Sequence, residues 1–328
     1  MSEPQEILVE QDGRVVTITF NRPEARNAMT FEMYERLHDL CERFDKDAGV
    51  RVLVLTGAGD KAFVSGTDIR QFLAFKTKED ALGYESRITR VLSRIHAMTK
   101  PTIAMIQGDA VGGGMFMSLA CDLRLAADHA RFGAPVARTL GNFAAPFSLG
   151  LLAATVGPIR AREIVLTARL VDAAEAKAIG LVEQVHPAAE LRAKVKELAS
   201  RISELAPLTV AATKEAVRRM LAATSPGSLE DLLLSCYLSE DFQEGVRAFL
   251  EKRKANWQGR RATPRGGRTA RGSARWPPAP SPPAAYGRRP RASARRSRGP
   301  GGCAVAALRP RRRRRASRTA ASLGAAGR

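Results

Sequence analysis

Pro101-Thr102-Ile103-Ala104-Met105-Ile106-Gln107-Gly108, continuing through Gly112-Gly113-Gly114-Met115 to Cys121-Asp122, is the stretch that decides the fold. Thr102–Ile106 is a short apolar run bounded by Pro101 and Gly108, and it reads as a buried strand. Beyond the glycines the spacing turns helical, with Met115, Leu119 and Ala120 on one face. Three glycines therefore stand where a strand ends and a helix begins. Glycine permits a tight turn and a close approach by another molecule. The first turn of a helix offers unpaired N–H groups and a partial positive charge. Such a place suits an oxygen that carries or gains negative charge. A tight turn that binds nothing would use the same glycines, so a second feature has to decide.

That feature is Val52-Leu53-Val54-Leu55-Thr56-Gly57, a second buried strand with a glycine stop. It leads through Ala58-Gly59-Asp60-Lys61 to Ala62-Phe63-Val64-Ser65-Gly66-Thr67-Asp68-Ile69. Here too a strand-like run ends in glycine before a helical segment. Two strand ends, each offering a free amide, have the layout of a two-donor oxyanion hole.

The charge is unevenly spread. The net +20 of the 328 residues owes most to residues 262–328, which hold 18 arginines, no lysine and no acid. That leaves 35 basic against 33 acidic side chains in residues 1–261. The body gives no electrostatic reason to bind nucleic acid. The tail is arginine, proline, alanine and glycine, with Arg311–Arg315 unbroken, and is expected to be disordered. It reads either as an arm with nonspecific affinity for nucleic acid or as an extension without selected function. Cys41, Cys121, Cys236 and Cys303 show no paired spacing, which suggests reduced thiols and a cytoplasmic protein. No apolar run is long enough to span a bilayer, so no membrane partner is expected. The polar start Met1–Glu6 argues against a signal peptide.

In chain order, Ile7–Val9 and Val15–Phe20 read as strands joined at Asp12-Gly13, a hairpin signal. Thr30 can cap a helix that puts Met33, Leu37, Leu40, Cys41 and Phe44 on one face. With Val52–Leu55 this makes a βαβ unit. A polar helical region runs from Asp68 to about His96. Leu123–Ala127 and Arg131–Gly133 are strands, and Pro146–Val156 and Ile159–Leu166 are helices parted by Gly157-Pro158. Asp172 caps Ala173–Ala178, Gly180 ends it, and Leu181–Val185 is a short strand. From Pro187 the chain is helical, with breaks at Pro207 and Ser225-Pro226-Gly227. The four histidines are expected to serve surface roles.

The ordered set Asn21-Arg22-Pro23, Asn27-Ala28, Phe63–Asp68, Gly108, Gly112–Gly114, Cys121-Asp122, Arg131–Pro135, Thr167–Arg169, Gly180–Val182 and Phe249–Arg253 resembles the crotonase family of enoyl-CoA hydratases and isomerases. The likeness covers roughly residues 5–260. It implies an α/β fold, a spiral of ββα turns with a helical C-terminal region. The division is 1–200 as spiral core, 201–260 as helical oligomerisation region and 261–328 as tail. The last helices would pack against other copies in a homotrimer or hexamer. The substrate would be an acyl-CoA thioester, with coenzyme A part of the substrate and no separate cofactor.

The resemblance places the oxyanion hole at the backbone N–H groups of Thr67 and Gly113. It places Arg26, Ala28, Ser65, Gly66, Asp68, Ile69 and Gly112 along the substrate, with Asp68 expected to brace its loop or cap a helix. Lys252 and Arg253 would meet CoA phosphates or lie on a solvated face. Two departures stand out. Hydratases of the family use one glutamate two residues after the glycine triplet and another after the proline of the Phe-Gly-x-Pro segment. Here those places hold Phe116 and Val136, and neither moves a proton. Arg138, Thr139 and Asn142, in the loop that follows, are the polar groups near the second place. The reading is an enolate-stabilising acyl-CoA enzyme in which water addition is in doubt. The alternatives are an isomerase, a decarboxylase, a thioesterase, or a non-catalytic acyl-CoA- or RNA-binding homologue.

Overall fold

The computed structural model describes residues 5–222, 234 and 236–258. The expectations for Met1–Pro4, the break at 225–227, Cys303 and the tail 261–328 lie outside the described residues. All described residues belong to one unit, Met1–Gly267.

The chain opens with the hairpin β1 (Ile7–Asp12) and β2 (Val15–Phe20), paired antiparallel about Gly13 at φ 58°. Helix α1 (Phe31–Lys46) follows, its N-terminus held by the Thr30 side chain, which accepts from the Met33 N–H. Its apolar stripe is buried as the spacing requires, and Tyr34 is buried with it. Strand β3 (Val52–Gly57) then pairs parallel with β2, completing the βαβ unit.

Three ββα turns succeed one another. β3 leads to β4 (Ala62–Val64) and, after a 3-10 turn Ile69–Ala74, to α2 (Lys78–His96). β5 (Thr102–Ile106) leads to β6 (Asp109–Val111) and α3 (Gly113–Ala120). β7 (Leu123–Ala127) leads to β8 (Arg131–Gly133) and the one-turn helix α4 (Val136–Thr139). The first strand of each turn enters a six-stranded sheet of order β1-β2-β3-β5-β7-β10, closed by β10 (Gln184–His186), and the second enters a four-stranded sheet, β4-β6-β8-β9, closed by β9 (Val171–Asp172). This is the spiral expected from the sequence. The repeat was hidden there because it is one of geometry: β4, β6 and β8 are three residues each.

The long apolar runs are explained by two-sided burial. Ile103 and Met105 of β5 face the cluster formed with Leu191, Val195 and Ala199 of α8 (Ala188–Ser203). Ala104 and Ile106 face the main core beneath α1, α2 and α3. Each isoleucine, leucine, valine or methionine among them contributes about 1.5–3 kcal/mol on leaving water. Between β8 and α8 lie α5 (Pro146–Val156), α6 (Pro158–Thr167), β9 (Val171–Asp172), α7 (Ala173–Ala178) and β10 (Gln184–His186). Helix α9 (Pro207–Ala222) follows α8, and Glu240–Leu250 is the last described helix.

Four local readings are corrected. Gly108 does not lead straight to a helix, because β6 intervenes. The helical region after Asp68 is split: the Thr77–Asp80 capping box starts α2 afresh. Pro158 is not a separator but the first residue of α6, where its missing N–H costs nothing. The strand expected from Leu181 begins at Gln184, since the N–H groups of Leu181 and Val182 turn back to the Ala176 carbonyl.

Gly114 carries a strict steric demand. A Cβ there would lie 1.9 Å from the Val64 carbonyl oxygen. At Gly83, inside α2, a Cβ would meet nothing within 4 Å. Gly114→Ala is therefore expected to lose more than about 3 kcal/mol or fail to fold, as overpacking against rigid backbone does. Gly83→Ala should gain about 0.5–1 kcal/mol. Denaturant unfolding of the two variants checks both signs.

Candidate active site

The site is built where two backbones touch. The Met29 N–H donates to the Gly66 carbonyl at 2.9 Å, and the Asp68 N–H donates to the Met29 carbonyl at 2.9 Å. This bridge steps over Thr67 and leaves its N–H without a partner among the described residues. Gly66 stands at φ 104° and Gly112 at φ 56°, conformations that suit glycine. The Gly112 N–H is taken by the Gly133 carbonyl at 2.8 Å. Gly113 opens α3, so its N–H has no carbonyl one turn earlier and is free among the described residues. The two loops adjoin: a Cβ on Gly66 would lie 3.7 Å from the Gly113 nitrogen.

Buried polar groups fix these loops. Asn27 is fully buried; its Nδ2 donates to the carbonyls of Ala58 and Ala62, and its Oδ1 accepts from the Arg22 N–H. Asp68 accepts from Arg70 and Arg22, which hold its carboxyl down at about 2, Arg70 most strongly. Asp68 also caps the 3-10 turn, so it braces the loop. Asp122 accepts from the N–H and hydroxyl of Thr102 and pairs with Lys214, which pins α9 to β5.

The sequence reading missed the groups behind Thr67. Its Oγ1 lies 3.0 Å from Tyr34 Oη and 2.9 Å from Tyr84 Oη. Burial pushes the Tyr34 hydroxyl up to about 12. Next to Tyr84 on α2 is Glu85, only 7% exposed. Tyr237 donates its hydroxyl to Glu85 Oε1 and accepts from Asn142 Nδ2 at 3.1 Å. Phe72, Phe75 and Phe242 surround the pair. Burial pushes the Glu85 carboxyl up to about 7, against a smaller downward pull from Tyr237. A signal was available: Glu85 lies in line with Ala81, Ile88, Leu92 and Ile95 on the buried face of α2.

Phe116 is 5% exposed and belongs to the main core. Val136 starts α4, so Arg138 and Thr139 are helical, not in a loop as expected. Arg138 is exposed. Thr139 spends its hydroxyl on the Pro135 carbonyl. Asn142 is the one of the three drawn into the cluster, and its Oδ1 is buried without a hydrogen-bond partner among the described residues. Arg26 and Lys61 are exposed beside a cleft of about 250 Å³ that Pro23, Asn27 and Gly59 also line. Ser65 donates its N–H to the Arg26 carbonyl, Ala28 accepts from Arg22 through its carbonyl, and Ile69 starts the 3-10 turn. Arg253 is bound to Glu244 and Glu251, which leaves Lys252 as the less committed cation of that pair. His96 is no surface group: it is half-buried and meets Phe147 edge-on.

Residues 10–260 match the family described as enoyl-CoA hydratase/isomerase. The chain belongs to that family. It is 34% identical to the short-chain-enoyl-CoA hydratase of Clostridium acetobutylicum, over 77% of this chain and 97% of that protein. It is 34% identical to the crotonyl-CoA hydratase of Syntrophomonas wolfei, over 77% and 98%. Among solved structures it is similar to a methylmalonyl-CoA decarboxylase in complex with 2-nitronate-propionyl-CoA. That likeness has a TM-score of 0.72 and 29% identity, over 78% of this chain and 99% of that one. On the far side of the Thr67 hydroxyl, the acid next to Tyr84 is Glu85 on α2.

Glu85 has a consequence for stability. Its pKa is about 7 folded against 4.5 for an exposed glutamate. The folded state holds the proton more tightly, so its contribution is full below pH 4.5 and is lost as pH rises to about 7. Glu85→Gln should flatten that slope, which amounts to roughly 3 kcal/mol at most. Urea unfolding from pH 4.5 to 8 checks it.

Proposed function

We propose that this protein binds an acyl-CoA thioester and stabilises its enolate between the N–H groups of Thr67 and Gly113. The observation that carries the reading is the pair of free amides on two adjoining loops. When a bond to the carbon beside the thioester breaks, its electron pair delocalises onto the carbonyl oxygen. Two fixed donors answer that charge, each worth on the order of 3 kcal/mol. The exposed Arg26 and Lys61 fit the phosphates of coenzyme A.

Water addition needs a group to deprotonate the water, and Phe116 and Val136 offer none. Decarboxylation needs only the enolate and a proton to return to it, while isomerisation needs in addition a base to take the first proton. The likeness to a decarboxylase bound to a nitronate thioester supports that second reading. In α9, Leu208 (84% exposed), Met220 (72%) and Val217 (51%) leave apolar surface uncovered. We assign that surface to further copies of the chain, as a trimer or hexamer. Among the described residues no helix is long and apolar enough to cross a membrane.

Gly113 gives a controlled test. Proline is tolerated at the first position of a helix. Gly113→Pro deletes the N–H, while Gly113→Ala adds a Cβ and keeps it. Both new side chains approach Tyr34 Oη, 3.0 Å from a Cβ there. The proline variant should turn over acyl-CoA about 100- to 1,000-fold more slowly than the alanine variant. The wild type should bind butyryl-CoA by calorimetry far better than butyrate. It should hydrate crotonyl-CoA well below the roughly 10 per second of an ordinary enzyme. Equal rates for the two Gly113 variants would remove the oxyanion reading.

A further inference from the structure

Among the described residues the buried charged side chains are Asp68, Glu85, Asp109 and Arg124. Asp68 has Arg22 and Arg70, Asp109 has Arg131, and Arg124 has Glu183. Glu85 alone has no opposite charge; its partner is the neutral Tyr237 hydroxyl. An isolated carboxylate in such a place is costly, and a hydrophobic residue would serve the core better. The α2 face around it is otherwise apolar. The titratable groups facing Glu85 are Tyr34 of α1, Tyr84 of α2 and Tyr237, all phenols.

The position is equally telling. Thr67, whose N–H is one donor of the hole, touches Tyr84 through its hydroxyl. The Tyr84 and Tyr237 rings lie 6.1 Å apart between centroids. Asn142 comes from the segment just after α4, close in sequence to the place where Val136 replaces a carboxylate, and it holds the Tyr237 hydroxyl. One connected cluster thus runs from the amide pair to Glu85 and back to Asn142, whose Oδ1 is an open acceptor within it.

We infer that Glu85, paired with Tyr237, is the acid–base group of this site, supplied from α2 in place of the carboxylates absent at Phe116 and Val136. The inference rests on the enolate reading above. In the forward step the Glu85 carboxylate takes a proton from the carbon beside the thioester. The C–H electron pair moves into the enolate, whose oxygen is held by Thr67 and Gly113. In the reverse step the Glu85 acid returns a proton to that carbon, and no oxidant or further reactant is needed. With a carboxyl that titrates near neutrality, both forms are available.

The experiment is hydrogen–deuterium exchange at the α carbon of butyryl-CoA in D2O, followed by NMR, with calorimetry on the same proteins. In the wild type the exchange rate should rise with pH and level off above about 7. Glu85→Gln should bind butyryl-CoA within about threefold of wild type and exchange at least about 100-fold more slowly. Tyr237→Phe removes the bond that holds the carboxyl down, so its exchange inflection should move to higher pH. A merely structural role would leave that inflection in place. Exchange by Glu85→Gln at the wild-type rate, or an inflection unmoved in Tyr237→Phe, overturns the assignment and leaves the enolate reading standing. Absent exchange in a wild type that binds butyryl-CoA also overturns it. Absent binding by the wild type overturns both.

Discussion

The contact on which the rest depends is backbone against backbone, where the Val64 carbonyl meets Gly114. No side chain fits between them, since a Cβ on Gly114 would stand 1.9 Å from that oxygen. Gly108 repeats the demand one strand earlier, with a Cβ only 2.4 Å from the Lys61 carbonyl carbon. Gly57 is pressed the same way by Asn27 and the carbonyls of Phe63 and Ala62. These approaches draw β4 against β6 and lay the start of α3 beside Gly66. The two free amides meet because no side chain at these glycines holds the strands that carry them apart.

On the proposed reading the hole is insensitive to side-chain loss. The Thr67 and Gly113 N–H groups belong to the main chain, and their directions follow from a bridge to Met29 and from a helix start. Phe116 is on α3 beyond the hole and packs in the core, where an aromatic ring strengthens the framework. The fold therefore tolerates exchange of the proton-moving groups while it keeps the charge-stabilising ones. On the inference drawn above, α2 then supplies the acid–base group, next to the Tyr84 that touches Thr67.

The spiral, the paired glycine loops and the family were legible because they depend on local signals. Apolar runs such as Val52–Leu55 and Thr102–Ile106, glycine stops and the Thr30 and Asp172 caps act over a few residues. β6 was not legible, since Asp109–Val111 lies between Gly108 and Gly112–Gly114 and was absorbed into the glycine turn. The start of β10 was misplaced because the end of α7, turned by Gly180 at φ 75°, claims the amides of Leu181 and Val182 first. The Glu85 cluster was out of reach for a different reason. Tyr34, Tyr84, Asn142 and Tyr237 are brought together across about two hundred residues by tertiary packing. A glutamate on the apolar stripe of α2 was the trace left in the sequence, and it gains meaning only beside its partners.

The placement of Glu85 also bears on which reactions the site favours. A carboxyl among Phe72, Phe75, Tyr84 and Phe242 is held close to neutral by burial, and the Tyr237 hydroxyl offsets this only in part. Such a group is a better proton donor to a carbanion-like centre than an ordinary ionised glutamate. Activating water asks more, because the water must be oriented and deprotonated while the enoyl double bond is polarised. With phenols and phenyl rings around it, Glu85 has the Asn142 amide close by as a further polar group. The arrangement is therefore suited to moving one proton to or from the α carbon. On the proposed enolate reading, that favours isomerisation or enolate protonation over hydration.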